Sequence, residues 1–350
     1  MEIDENVVLV IFMRRPKIIH KSGKLSRVLE VRSKGRTLST PTYFPAISSY
    51  GIKLSLSYLI YLLANYSYPR ILVSAYDIFH SKGKEKEALF SSLKRYDRMS
   101  RRNKKGFLFL DSGIYESSWY DDSNWNIDSY RALTSKVKFD FYSNFDVLPK
   151  ESDKEFMEKT FANIIASRDF TNKGELVVIL HGRTPDHLIS TVKEFTKAYP
   201  DLCDVLAVPE RDCGESILER VETIVEVRQM LDGRDSRNLL HILGCGHPLS
   251  MLLYSFCGVD FFDSLDWYEH VIDQNALSIN DFCQLDLLNC NCKACTFAAG
   301  GPYMDRVLLH NLLFYQEFMK KIQSLIRNDG ILSFLNEHID RSIFEKIKKF

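Results

Sequence analysis

The chain has 350 residues, 45% of them apolar, enough for a large buried core and long for one ordinary domain. No stretch of about 18 or more apolar residues occurs, so no transmembrane helix is expected. Lys plus Arg and Asp plus Glu both number 46, and a formal charge of zero argues against strong non-specific nucleic-acid binding without excluding a local basic face.

The acidic start, Met1-Glu-Ile-Asp-Glu5, lacks a signal peptide's basic region and small-residue cleavage site, so a cytoplasmic protein is expected. Short apolar runs then recur at 40–47, 70–77, 107–113, 138–146, 175–182, 204–210, 239–246 and 258–264. Several are nearly continuous, as parallel strands buried on both faces require; the fourth alternates more. Between them, 55–66, 85–99, 153–167, 185–198 and 215–231 carry apolar residues at helical spacing. Pro185 and Pro248 stand near helix starts, where proline is tolerated. Eight strands alternating with helices predict an α/β fold, a (β/α)8 TIM barrel; no Gly-x-Gly-x-x-Gly follows the first strand, which disfavours an open doubly wound sheet. The basic run Arg101-Arg102-Asn103-Lys104-Lys105 reads as a solvated loop, the alternative being a phosphate-contacting patch at a barrel mouth or rim.

The rhythm breaks after residue 271. A cysteine cluster appears there, then an amphipathic helix from about Tyr303 to Arg327, then a helical tail over 328–350. We read 1–327 as one barrel domain that includes a zinc-binding appendage at 285–315. All eight cysteines follow residue 200, and Cys290, Cys292 and Cys295 crowd into C-x-C-x2-C. Such clustering points to a metal rather than a disulfide framework. His310, the nearest downstream histidine, completes a Cys3His set, which implies a closed structural zinc site.

Barrel active sites lie at the C-terminal strand ends. Here several runs end in polar groups: Asp77, Asp111, Asp146, His181, Glu210 and Asp263. Asp111 and Asp263 close the very apolar runs Phe-Leu-Phe-Leu-Asp and Val-Asp-Phe-Phe-Asp, in the third and eighth strands. Two carboxylates in one mouth suit chemistry at an anomeric carbon, one as nucleophile or stabiliser and one moving the proton. That logic covers sugar–sugar and sugar–base bonds alike.

Phe-Leu-Asp111-Ser-Gly, Gly258-Val-Asp-Phe-Phe-Asp263, the cysteine cluster, His310-Asn-Leu-Leu-Phe-Tyr315 and Thr40-Pro-Thr-Tyr-Phe-Pro45 together resemble the tRNA-guanine transglycosylase family. The resemblance runs from about residue 20 to residue 320. It implies a zinc-bearing (β/α)8 barrel that swaps a guanine in nucleic acid for a 7-deazaguanine. By the same resemblance Asp263 is the covalent nucleophile and Asp111 the general acid/base. Asp146 reads the base edge, His181 and Gly182 replace a glutamine–glycine pair beside it, and Leu206 and Ala207 are backbone contacts to the base. The chain departs from the tRNA enzymes after Asp263, where Ser-Leu-Asp-Trp-Tyr-Glu-His270 carries none of their arginines, and no RNA-binding domain is appended. This pattern is similar to the DNA-modifying DpdA branch, which implies DNA as partner, a 7-deazaguanine such as 7-cyano-7-deazaguanine (preQ0) as incoming base, and helper proteins that open the duplex. The alternative is a divergent enzyme acting on tRNA. Trp267 and Tyr268 are candidates to stack on an unpaired base, against packing under a loop.

Overall fold

The computed structural model describes residues 13–50, 54–104, 106–149, 153–171, 174–297 and 301–350. Eight parallel strands close into a barrel: β4 (Thr42–Ile47), β5 (Arg70–Ser74), β6 (Phe107–Asp111), β7 (Phe141–Ser143), β8 (Glu175–Ile179), β9 (Val205–Pro209), β10 (Leu239–Leu243) and β11 (Phe261–Ser264). Closure comes from β11 beside β4, with Phe261 opposite Thr42 and Asp263 opposite Phe44. Alternation within each strand sorts the side chains. Phe107 and Phe109 point into the barrel, while Leu108 and Leu110 pack under the surrounding helices. Rings fill the interior: Phe261 lies 5.3 Å from Phe44 and 5.5 Å from Phe141, centroid to centroid.

Strand β7 is shorter than the expected 138–146. Asn144 ends the regular ladder, its Oδ1 accepting the Ile179 N–H at 2.6 Å where a backbone carbonyl would otherwise stand. The N-terminal segment holds a sheet that the periodicity did not announce. Strands β1 (Met13–Ser22), β2 (Ser26–Ser33) and β3 (Arg36–Ser39) form an antiparallel sheet under the barrel floor. Its Met13, Leu29, Val31 and Leu38 join the interior cluster with Phe107, Val205 and Leu239.

Two buried ion pairs fasten this plug. Arg27 reaches Asp260 at 2.6 and 3.2 Å, and Arg36 pairs with Asp140. Each aspartate also accepts a strand N–H at 3.0 Å, Asp260 from Leu240 and Asp140 from Leu108. Each carboxylate thus ties a plug arginine to a neighbouring barrel strand, with its charge paired and hydrogen-bonded as burial requires.

The basic run is only partly the expected solvated loop: its first three residues continue the helix Gly83–Asn103, Arg101 bonds Asp97 within that helix at 2.8 Å, and Lys104 turns out of it at φ +54° before the chain enters β6 at the floor of the barrel, away from the mouth. Lys105 lies outside the described residues.

After β11 come the short helix Asp266–Glu269, the hairpin β12 (His270–Asp273) and β13 (Ser278–Asp281), and the long helix Tyr303–Arg327. Helices Ile331–His338 and Arg341–Ile347 complete the tail. No helix among the described residues is long and apolar enough to cross a membrane.

Candidate functional site

A cavity of about 500 Å³ opens at the C-terminal strand ends. Asp111, Asp146, His181, Glu210 and Asp263 all line it. Asp77 does not; it turns aside to accept the Ser49 backbone N–H at 2.7 Å.

Asp263 lies one residue before the end of β11, and its Oδ1 is 2.8 Å from His241 Nε2. His241 is fully buried in β10 among Phe44, Phe109 and Phe261. Asp111 ends β6 and accepts the Gly113 N–H at 3.0 Å. Burial, reinforced by the nearby Asp146, Glu116 and Asp263 carboxylates, pushes the Asp111 carboxyl well above the usual range. Gly113 sits at φ +77°, and a Cβ there would lie 2.4 Å from that of Tyr76. The turn that re-aims the chain after Asp111 therefore requires glycine.

Asp146 is held from both sides. Ser112 donates to one oxygen, and His181 Nε2 lies 2.8 Å from the other. His181 Nδ1 is 3.0 Å from Asp212, which also accepts the Gly182 N–H at 3.3 Å. Burial opposes a charge on His181, but the hydrogen bonds and charges of Asp146 and Asp212 outweigh it and raise the imidazole to about 9. The ring is therefore an imidazolium with both N–H groups spent on carboxylates. Glu116 borders the same cavity; burial raises its carboxyl although Ser48 donates to it at 2.5 Å.

Leu206 and Ala207 do not line the cavity. Leu206 faces the outer helices and Ala207 lies within the barrel, one layer below the cavity-lining Pro209. Trp267 and Tyr268 are not stacking surfaces. Both are buried; the Trp267 indole donates to the Ala46 carbonyl at 2.7 Å, because the segment after Asp263 folds back under the mouth. Aromatic faces at the mouth come instead from Tyr50, Tyr115 and Trp119, with Arg211 4.1 Å over the Tyr115 ring. His241, Asp212, Arg211 and Arg220 escaped the sequence reading. Only His241 carried a signal, as a polar residue at an inward position of the apolar run Leu239-Leu-His-Ile-Leu.

Beyond the mouth, Cys290, Cys292 and Cys295 place Sγ at 3.4, 3.5 and 3.5 Å from His310 Nδ1, with all four atoms within 4.8 Å of one another. A tetrahedral zinc with Zn–S of about 2.3 Å and Zn–N of about 2.0 Å sets S···N near 3.5 Å, so the donor set fits. The other ring nitrogen, Nε2, lies 2.7 Å from the Ile272 carbonyl, which fixes the tautomer that leaves Nδ1 free to bind metal. The next residue, Asn311, bonds Ile272 N, Trp267 O and His270 O at 3.0, 3.0 and 2.7 Å. Tyr315 donates to the Gly246 carbonyl at 2.8 Å and stacks on Tyr43 at 4.0 Å. The helix Tyr303–Arg327 thus couples the metal cluster to the segment that follows Asp263.

Comparison with known proteins places these features in a lineage. The family model described as TGT, queuine tRNA-ribosyltransferase, matches residues 22–342. The chain is 25% identical over 289 residues to the tRNA-guanine(15) transglycosylase of Methanopyrus kandleri, covering 79% of this chain and 59% of that protein. It is 20% identical over 346 residues to that of Nanoarchaeum equitans, covering 92% and 80%. With that of Methanocaldococcus jannaschii it shares 21% over 348 residues, 92% of this chain and 51% of the relative. The chain therefore spans little more than half the length of two of these three relatives.

Proposed function

The chain belongs to the queuine tRNA-ribosyltransferase (TGT) family, and from that premise we propose that it is a base-exchange transglycosylase acting on guanine in a polynucleotide. The observation that carries the proposal is the placement of Asp263 and a high-pKa Asp111 in one mouth. Asp263 attacks C1′ of the target nucleotide. The C1′–N9 bond breaks, the electron pair leaves with guanine, and the protonated Asp111 supplies the proton. The incoming 7-deazaguanine returns its N9 proton to Asp111 and displaces Asp263 from C1′, which regenerates both carboxyls. Asp146 faces the base edge. Ser112 and His181 occupy one lone-pair direction on each of its oxygens, which leaves others to accept guanine N1–H and N2–H. His181 acts here through Asp146 rather than on the base.

Residues 1–327 form the catalytic unit in this reading, 285–315 its metal segment and 328–350 a helical tail. Zinc held by Cys290, Cys292, Cys295 and His310 is structural, with no open position for chemistry. The relatives' names favour tRNA as the polynucleotide. A second reading, DNA with preQ0 as incoming base and a helper that opens the duplex, rests on the segment after Asp263: Ser264-Leu-Asp-Trp-Tyr-Glu-His270 offers no arginine to grip an anticodon loop. Label transfer from radiolabelled guanine or 7-cyano-7-deazaguanine into unmodified tRNA, single-stranded DNA or duplex DNA separates the two. Label in tRNA alone establishes the first reading and label in DNA the second; label in none overturns the proposal.

A further inference from the structure

The helix Ile114–Trp119 starts where Gly113 turns the chain after Asp111, and it ends at the cavity lip. Trp119 is 65% exposed there, although indole is among the side chains with most to gain from burial. Tyr50 meets it edge to face, with centroids 4.4 Å apart and planes at 81°, so the two rings form an open notch with aromatic walls. Both rings line the same cavity as Asp263. Arg211 and Arg220 line that mouth too, and although each is paired with an acid, each guanidinium keeps further N–H groups.

We propose that the Trp119–Tyr50 notch is a stacking site for an unpaired nucleobase adjacent to the exchanged guanosine. It rests on the transglycosylase reading given above. Aromatic walls and cationic N–H groups lining one cavity match a base joined to its phosphate, and stacking needs no sequence, since every base has a π face. The notch continues the cavity that holds the reacting nucleotide, so a base one step along the strand is the occupant that its position favours. The notch also supplies a grip on nucleic acid that the arginine-free segment after Asp263 does not.

The chain has three tryptophans, and the other two, Trp125 and Trp267, are 4% and 0% exposed, so quenching by a stacked base reports chiefly on Trp119. A single-stranded oligonucleotide carrying one guanosine would be titrated into the full chain, in DNA and RNA arms, beside free guanosine. Either oligonucleotide quenches the emission and free guanosine does not. Trp119→Leu abolishes the quench and weakens oligonucleotide binding, measured by filter retention, on the order of 10-fold or more. Trp119→Phe, which keeps a ring, restores most of that affinity. Exchange is followed in the same samples. Exchange into the oligonucleotide with no quench, and with affinity unchanged in Trp119→Leu, overturns the notch alone. Trp119-dependent binding without exchange overturns the transglycosylase reading and leaves the notch as a base-stacking site with no exchanged guanosine beside it.

Discussion

His241 Nε2 lies 2.8 Å from Asp263 Oδ1, and the imidazole is walled in by Phe44, Phe109 and Phe261. The ring cannot turn without disturbing that packing, so it fixes one oxygen of the carboxylate and leaves the other to the cavity. His241→Phe removes the bond while keeping a ring of similar size. We expect kcat to fall on the order of 10- to 100-fold with KM little changed, because orientation of the nucleophile is lost and not binding. A variant with wild-type kcat would show that the pair is only structural.

His181 ties stability to pH. Its pKa is raised from the ordinary histidine value of 6.5 to about 9, because the bonds from Asp146 and Asp212 outweigh its burial. The folded state holds this proton more tightly than the unfolded chain does. The contribution is therefore fully present below pH 6.5 and is lost as pH rises through about 9. Urea denaturation of the wild type and of His181→Gln across pH 6 to 10 isolates it. The difference between their unfolding free energies is expected to shrink steadily as pH rises; a constant difference would contradict the linkage.

The metal staple carries two consequences. Cys292→Ser is expected to lose the zinc and to lower Tm, because three thiolates and His310 hold the cluster to the helix Tyr303–Arg327. Asn311 and Tyr315 on that helix bond the segment after Asp263 and Gly246 at the mouth, so exchange should fall as well. Metal analysis beside calorimetry checks this; a zinc-free protein with unchanged Tm would refute the staple.

The barrel floor gives a stability test away from the mouth. Arg27→Met leaves Asp260 buried without its partner, which costs about 3–5 kcal/mol by denaturant unfolding. Adding Asp260→Leu removes the stranded charge and should recover part of that loss. A single variant within about 1 kcal/mol of wild type would mean that Thr40, Leu240 and Arg228 suffice to hold Asp260.

Sequence patterning carried the barrel because most of its strands are buried on both faces and read as nearly continuous apolar runs, several of them closed by a polar residue that reaches the mouth. Asp111 and Asp263 were legible for that reason. Cys290, Cys292 and Cys295 were legible because their spacing is local. The plug was not, since its residues alternate with lysines and arginines at the surface and its two ion pairs join positions 233 and 104 residues apart. The partners of the site residues were hidden in the same way: His241 reaches Asp263 across 22 residues, and Asp212 reaches His181 across 31. Trp267 and Trp119 look alike as sequence. Only folding decides that the first packs beneath the mouth and the second stands at its lip.

The measurement that bears most directly on the central claim is Asp263-dependent exchange. Wild-type protein and Asp263→Asn would be given radiolabelled guanine with tRNA and with single-stranded DNA, and zinc content and Tm would be recorded for both. The account predicts label in a polynucleotide with the wild type, and a loss on the order of 10³-fold or more in a variant that is folded and metal-replete. Undiminished label transfer by Asp263→Asn would contradict it.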